Sequence, residues 1–259
     1  MNDADFNRDL NEAPAPDEFD ISAELKKSFI DPTRDIPEPP VILAIDGNPV
    51  YTAGNISTTI GKAKSRKTFY LAGTLSAIAA VPWGPMEGKR TDRAVLWIDT
   101  EMSQYHATLM VKRCVRLTGG KGNIIAYGLR PYTPAQRMAM IEHAIYNTPN
   151  LGFVAIDGLR DLLTRGINDE EEATTVTSKL LKWTSELDIH INLILHQNKG
   201  DLNARGHIGS ECVNKSEVVV SVTKSKEAPS VSEVSAEYSR NIDFDPFAFV
   251  IDDTGLPII

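Results

Sequence analysis

The segment Gly61-Lys62-Ala63-Lys64-Ser65-Arg66-Lys67-Thr68 (GKAKSRKT) meets the phosphate-loop pattern G-x-x-x-x-G-K-[ST] everywhere except the sixth position, where Arg66 replaces glycine. Downstream, KTFYLAGTLSAIAA (67–80) reads as an apolar helix with Lys67 and Thr68 in its first turn. Upstream, TAGNISTTIG (52–61) suggests a short β segment or turn. Unpaired amides and the positive dipole end at such a helix start suit β- and γ-phosphates. Lys67 would bridge those phosphates and the Thr68 hydroxyl would coordinate Mg²⁺, with Gly61 through Thr68 forming the cradle. Glycine belongs at the sixth position because the backbone there turns sharply against phosphate oxygens. An arginine supplies the same N–H if its side chain points outward, and its guanidinium could return to a phosphate. The bland alternative is a basic turn ahead of an ordinary helix.

Three further segments follow in an order that fits a nucleotide site. AVLWIDTEMS (94–103) is a buried strand ending at Asp99, with Glu101 just beyond. A carboxylate there can take a proton from the water attacking a γ-phosphate; otherwise it is a helix-start acid favoured by the dipole, with Ser103 as cap. LGFVAIDGLRDLL (151–163) is a Walker-B-like strand whose Asp157 would contact Mg²⁺ or its water. Gly158 follows it, which argues against AAA+ and superfamily-two helicase schemes that place their base there, and moves that role to Glu101. INLILHQNKG (191–200) ends with His196 and Gln197 at a strand's carboxyl end, where they could sense a γ-phosphate or serve structure alone.

Strand-like and helix-like segments alternate through the chain. Strands are expected at 41–45, 94–99, 123–128, 153–157, 191–196, 217–223, 231–239 and 247–252, and helices at 67–80, 103–118, 134–147 and 171–187. The first five strands are apolar on both faces, as a covered parallel sheet requires. The last three have no helix between them and should form an antiparallel extension. The fold class is therefore three-layer α/β with right-handed crossovers.

The 259 residues, 42% hydrophobic and 24% charged, fit a globular protein with no membrane-length apolar run. The net charge of −8 is uneven: residues 1–40 hold eleven acids and four bases, the rest 24 and 23. Residues 1–36 read as an acidic, poorly ordered arm before a domain at 37–259, with one short helix at ISAELKKSFI where Ile21, Leu25 and Phe29 recur. That helix could clip onto a neighbouring subunit, or the arm is inert. The acidic N-terminus has no secretory h-region, and Cys114 and Cys212 lack metal-like spacing, which together suit a cytoplasmic protein with both thiols in the core. A near-neutral body weakens a nucleic-acid claim without removing a local basic loop.

Together GKAKSRKT, WIDTEMS, VAIDG, LILHQNKG, ARGHIGSE and EVVVSVTKSK resemble the RecA-like P-loop ATPases: the KaiC-like and replicative-helicase branch, with plasmid RepA-type and mobile-element AAA-family ATPases. The resemblance covers about residues 40–255. It implies Glu101 as catalytic base and a pore-facing loop at 197–211, in which Lys199, Arg205 and His207 would contact single-stranded DNA. It also implies a basic pair, Lys224 and Lys226, reaching a neighbouring subunit's site from one side of an extended strand. Lys199, Arg205 and His207 among glycines suit a phosphate-contacting loop, against the alternative of a surface excursion, and Lys224 and Lys226 have the alternative of being ordinary solvated lysines. Arg66 and the acidic INDEEEA segment (167–173) depart from the pattern. The implied function is a Mg·ATP-dependent motor on DNA, serving replication, mobilisation or recombination of a mobile element, and assembled as a ring, such as a hexamer, or a filament. The alternative is a nucleotide-switched binding module in which Arg66 suppresses turnover. A small-molecule P-loop kinase fits less well, because TRGINDEEEA is acid-rich where a lid would carry arginines.

Overall fold

This computed structural model describes residues 20–197 and 206–259. The chain separates into two compact units, Met1–Glu38 and Pro39–Ile259. In the first, helix α1 (Ile21–Lys27) is capped by Asp20, which accepts from the amides of Ser22 and Ala23 at 3.0 and 3.1 Å. The helix buries no residue and stops short of the full ISAELKKSFI span.

The second unit is built on a nine-stranded sheet. In chain order its strands are β3 (Ile56–Gly61), β5 (Ala94–Asp99), β6 (Ile124–Gly128), β7 (Leu151–Asp157), β8 (His190–His196), β9 (Val218–Lys224), β10 (Val231–Ser239), β11 (Phe247–Ile251) and β12 (Pro257–Ile258). Their spatial order is β12-β11-β10-β9-β3-β8-β7-β5-β6. From β9 to β6 every pairing is parallel, and β10, β11 and β12 add on antiparallel. Side chains alternate between two cores, as the strand period of two requires. Val95, Trp97, Phe153 and Val220 enter one core beside α2 (Lys67–Ala79) and α3 (Gln104–Thr118). Leu96, Ile98, Val154 and Val219 enter the other beside α4 (Pro134–Asn147), α5 (Glu170–Leu187) and α6 (Gly206–Lys215). These are the three layers, parallel core and antiparallel extension expected.

Three details differ from the sequence reading. VILAI is β1 (Val41–Ile45), but it belongs to a separate three-stranded sheet, antiparallel between β2 (Asn48–Thr52) and β4 (Met86–Gly88). Its place in the parallel sheet is taken by β3, whose hydroxyl-rich ISTTIG is wholly buried. Those hydroxyls are matched: Thr58 Oγ1 lies 2.8 Å from Ser216 Oγ, and Thr59 Oγ1 donates to Asn192 at 3.2 Å. Finally, α6 occupies part of the loop expected at 197–211. Ile208 and Cys212, one turn apart, bury its inner face. Both cysteines are buried and free, and burial pushes their thiols up to about 11 and 12.

Candidate nucleotide site

The parallel strands all end at one edge, and the turn leaving β3 carries GKAKSRKT into α2. Lys64 and Arg66 take left-handed backbone, with φ of 64° and 73°, on either side of Ser65. Alternating handedness aims successive amides into one concavity, the geometry that holds anions. For residues with a Cβ this conformation costs about 1–2 kcal/mol each. Helix α2 begins without a side-chain cap and with no acid in its first turn, so its positive end faces the concavity uncompensated.

A cavity of about 350 Å³ opens there, lined by Lys64, Ser65, Arg66, Lys67, Thr68, Glu101, Asp157 and His196. It therefore gathers the carboxylates of β5 and β7 and the histidine of β8 around the loop. Lys67 is 7% exposed and folds back on its own loop, donating to the carbonyls of Gly61 at 2.8 Å and Lys62 at 3.2 Å. Its Nζ also lies 3.3 Å from His196 Nδ1, while His196 Nε2 is 3.6 Å from Glu101 Oε2. Burial lowers the Lys67 pKa, against the opposing pull of Asp157 and Glu101. The neighbouring His196 is the main cause of the lowered Glu101 pKa. Ser65 Oγ is buried with no hydrogen-bond partner.

Asp157 ends β7 beside Asp99 at the end of β5, in register. Burial first, then Glu101 and Asp99, push its carboxyl up to about 7. Asp99, raised by burial to about 6, accepts from the Met102 amide at 3.0 Å and shapes the turn that presents Glu101. Thr100 cross-links the two strand tips, donating to Gly158 O at 2.9 Å and Asp161 Oδ2 at 3.1 Å. That packing leaves no room for a side chain at Gly158, where a Cβ would lie 2.0 Å from Thr100 Oγ1 and 2.9 Å from Glu101 Cγ, at a φ of 96°. An acid directly after Asp157 is thus excluded, and Glu101 borders the cavity beside Asp157.

The donor set suits Mg²⁺ shared with phosphates: the Thr68 hydroxyl and the Asp157 carboxylate are hard oxygen donors on one wall. Among the described residues no group of three His, Cys, Asp or Glu side chains could hold a metal by itself. The orphaned Ser65 hydroxyl fits an anionic oxygen in the same concavity.

Other expectations fare differently. Lys62, Ala63, Lys64, Lys224 and Lys226 line a second cavity of about 830 Å³, on the other flank of the loop. Lys226 does not share a strand with Lys224: β9 ends at Lys224, and Lys226 sits in the turn beyond it. His207 lies in the first turn of α6, its Nε2 3.6 Å from Glu170, so it is helical and not in a glycine loop. Lys199 and Arg205 lie outside the described residues. Ser103 precedes α3, but its hydroxyl meets His106 Nδ1 at 3.0 Å and makes no cap bond. The sequence reading passed over Thr100 and the structural part of Asp99; an Asp-Thr pair ending a core strand was the available sign.

A family profile described as an AAA domain (AAA_25) matches residues 22–201, most of the chain. The chain belongs to the AAA domain family. No curated protein sequence matches it. Among solved structures, this AAA domain superposes on the "ATPase Domain of G40P" with a TM-score of 0.58 at 13% identity, over 79% of this chain and 84% of that one. A DnaB-like replicative helicase, solved to study its interactions with primase, gives a TM-score of 0.57 at 13% identity. That alignment covers 80% of this chain and 58% of the helicase, so the AAA domain spans a little over half of that protein. These likenesses show the fold, a RecA-like P-loop ATPase core. Among the described residues no helix is long and apolar enough to cross a membrane.

Proposed function

We propose that this AAA domain binds and hydrolyses Mg·ATP and works as an assembled motor on DNA. The observation that carries the nucleotide part is the convergence of Ser65, Lys67, Thr68, Glu101, Asp157 and His196 on one cavity at the amino end of α2. In this reading the loop amides and Ser65 cradle the β- and γ-phosphates, and Lys67 leaves the carbonyls of Gly61 and Lys62 to bridge them. Thr68 and Asp157 would hold the Mg²⁺, which would supply neutralisation of phosphate charge. Glu101 accepts the proton of the attacking water, oriented by its contact with His196. His196 then reports the change at Lys67 and Glu101 along β8, toward the segment that carries Lys199 and Arg205.

The DNA part rests on the basic side chains and on the fold. Lys199, Arg205 and His207 would meet the strand's phosphates, and Lys224 and Lys226 would complete a neighbour's site in a ring or filament. Solved relatives of this fold include a DnaB-like replicative helicase. The test is ATP turnover by the purified full chain with and without single-stranded DNA, repeated for Lys67→Ala. Turnover that DNA raises and Lys67→Ala removes supports the reading; equal turnover in both proteins refutes it. The competing module, which binds ATP as a switch, predicts tight binding with negligible turnover. The position of the Arg66 guanidinium, directed away from the cradle, gives no reason for such a block.

A further inference from the structure

Arg66 makes a set of contacts that phosphate binding leaves unused. Its Nη1 donates to the Ser230 carbonyl at 2.6 Å and to Ser232 Oγ at 3.2 Å, and its Nη2 donates to the Pro229 carbonyl at 3.1 Å. Ser232 Oγ in turn approaches the Ser65 carbonyl at 3.5 Å. Every acceptor lies in the turn between β9 and β10 or at the start of β10. The residue standing where the motif wants glycine therefore has its backbone in the phosphate cradle and its side chain fastened to a hairpin. That hairpin bears Lys226 and begins at Lys224, and it shares a cavity with Lys62 and Lys64 of the loop.

We propose that Arg66 is a positioning residue: it couples the filling of the phosphate loop to the placement of the β9–β10 hairpin, and so of Lys224 and Lys226. This rests on the nucleotide reading above. A left-handed backbone at a residue with a Cβ is a strained state that the surroundings must hold. Here the guanidinium bonds hold it, so movement of the loop around a bound phosphate is passed directly to the hairpin. The planar fork matters, because it spans the two adjacent carbonyls of Pro229 and Ser230 with separate nitrogens. A lysine ammonium would have to meet both carbonyls and Ser232 Oγ from a single atom, without the fixed plane that sets their spacing. Glycine would restore the motif and relieve the φ, yet it would cut the link. The same substitution that a defective-loop reading expects to repair the protein is expected here to uncouple it.

Hydrogen–deuterium exchange on the full chain tests this, comparing the unaltered protein, Arg66→Gly and Arg66→Lys, each with and without Mg·ATP at a concentration saturating for that protein. Two amide sets are read: the loop and helix start (61–70) and the hairpin (225–232). In the unaltered protein ATP should slow both sets. In both variants ATP should still slow the loop set, while the hairpin's response to ATP is lost. A merely structural Arg66 would change hairpin exchange without ligand but leave the response to ATP in place. Equal slowing of the hairpin by ATP in all three proteins overturns the coupling. If Arg66→Gly does not fold, Arg66→Lys, which keeps charge and length, decides alone. If ATP slows the loop amides in none of them, the nucleotide reading itself has failed, which the loop set reports independently of the hairpin.

Discussion

At the amino end of β3, Glu217 accepts from the Thr52 amide at 3.0 Å, the Thr52 hydroxyl at 2.7 Å and Asn241 at 3.1 Å. Beside it His190 is fully buried, with Nδ1 2.8 Å from the Thr52 carbonyl and Nε2 2.7 Å from Ser57 Oγ. The carbonyl can only accept, so Nδ1 carries the proton and Nε2 accepts from Ser57. At the carboxyl end of the same strand, about 20 Å away by strand rise, the terms are reversed. Lys67 bonds to carbonyls its own loop could spare, Ser65 has no partner, and Asp157 is held among like charges. Both clusters are buried and polar. One is satisfied from within the chain and the other leaves charge and hydrogen-bonding capacity for a ligand. The contrast, and not burial or polarity alone, marks the functional end.

The contrast is broken most severely at the ligand end by activity, without much cost in stability. Lys67→Ala should lower ATP turnover by about 10²–10³-fold, and Glu101→Gln by about 10²–10⁴-fold, the range for removing a charge-stabilising donor and a general base. Glu101→Gln should still bind ATP, because Glu101 takes no part in the cradle. Single-turnover hydrolysis alongside a fluorescent-nucleotide titration separates the two variants. A Glu101→Gln protein that hydrolyses normally would return the base assignment to another group.

At the paired end the expectation inverts. Glu217→Ala should cost about 2–4 kcal/mol of unfolding free energy, since it strands the Thr52 amide and hydroxyl in the interior. Turnover per folded molecule should hardly change. Urea unfolding followed by activity measured well below the midpoint reads both quantities. Loss of turnover without loss of stability would place Glu217 in the site and erase the distinction between the ends.

The two ends should also oppose each other in pH. Burial lowers His190 to about 4, so its contribution is present above the unfolded value near 6.5 and lost as pH falls toward 4. Asp157 is an acid raised from 3.8 to about 7, so the folded chain holds its proton more tightly than the unfolded one. Its effect is therefore a loss of stability as pH rises from about 4 to 7. In ligand-free protein Asp157→Asn should be about 1–3 kcal/mol more favourable relative to the unaltered chain at pH 8 than at pH 4. Comparing melts at the two values cancels the His190 contribution, which both proteins share. A gap that stays constant with pH would mean that Asp157 is not forced to ionise against its neighbours.

Much of this was legible in the sequence, and the failures have causes. Helices α2 to α5 and the last three long strands announced themselves by period, and Lys64 through Thr68, Glu101, Asp157 and His196 do border one cavity. Strand β3 was legible only as a short β segment or turn, because ISTTIG is hydroxyl-rich and its partners Asn192 and Ser216 lie far along the chain. VILAI was misplaced because apolar faces report that a strand is covered, not which neighbours cover it. Glycines and charges in ARGHIGSE masked α6, whose buried apolar side chains are Ile208 and Cys212 at helical spacing. The contacts of Arg66 were beyond reach, since its acceptors are backbone carbonyls 163 and 164 residues later, to which no residue type is a guide.

The smallest effect is the sharpest test of the contrast. Ser65 Oγ is buried and unpartnered, so its desolvation has already been incurred in the free protein and no intramolecular bond offsets it. Ser65→Ala should leave the melting temperature unchanged or slightly raised, whereas removing a paired hydroxyl such as that of Thr58 should lower it. If the hydroxyl is reserved for a phosphate oxygen, the same Ser65→Ala change should weaken ATP binding by about five- to tenfold, the value of roughly one hydrogen bond. Calorimetric titration with Mg·ATP next to a thermal melt gives both numbers on one sample. A variant that loses stability and keeps its affinity would show that Ser65 belongs with the paired cluster at the other end of the strand.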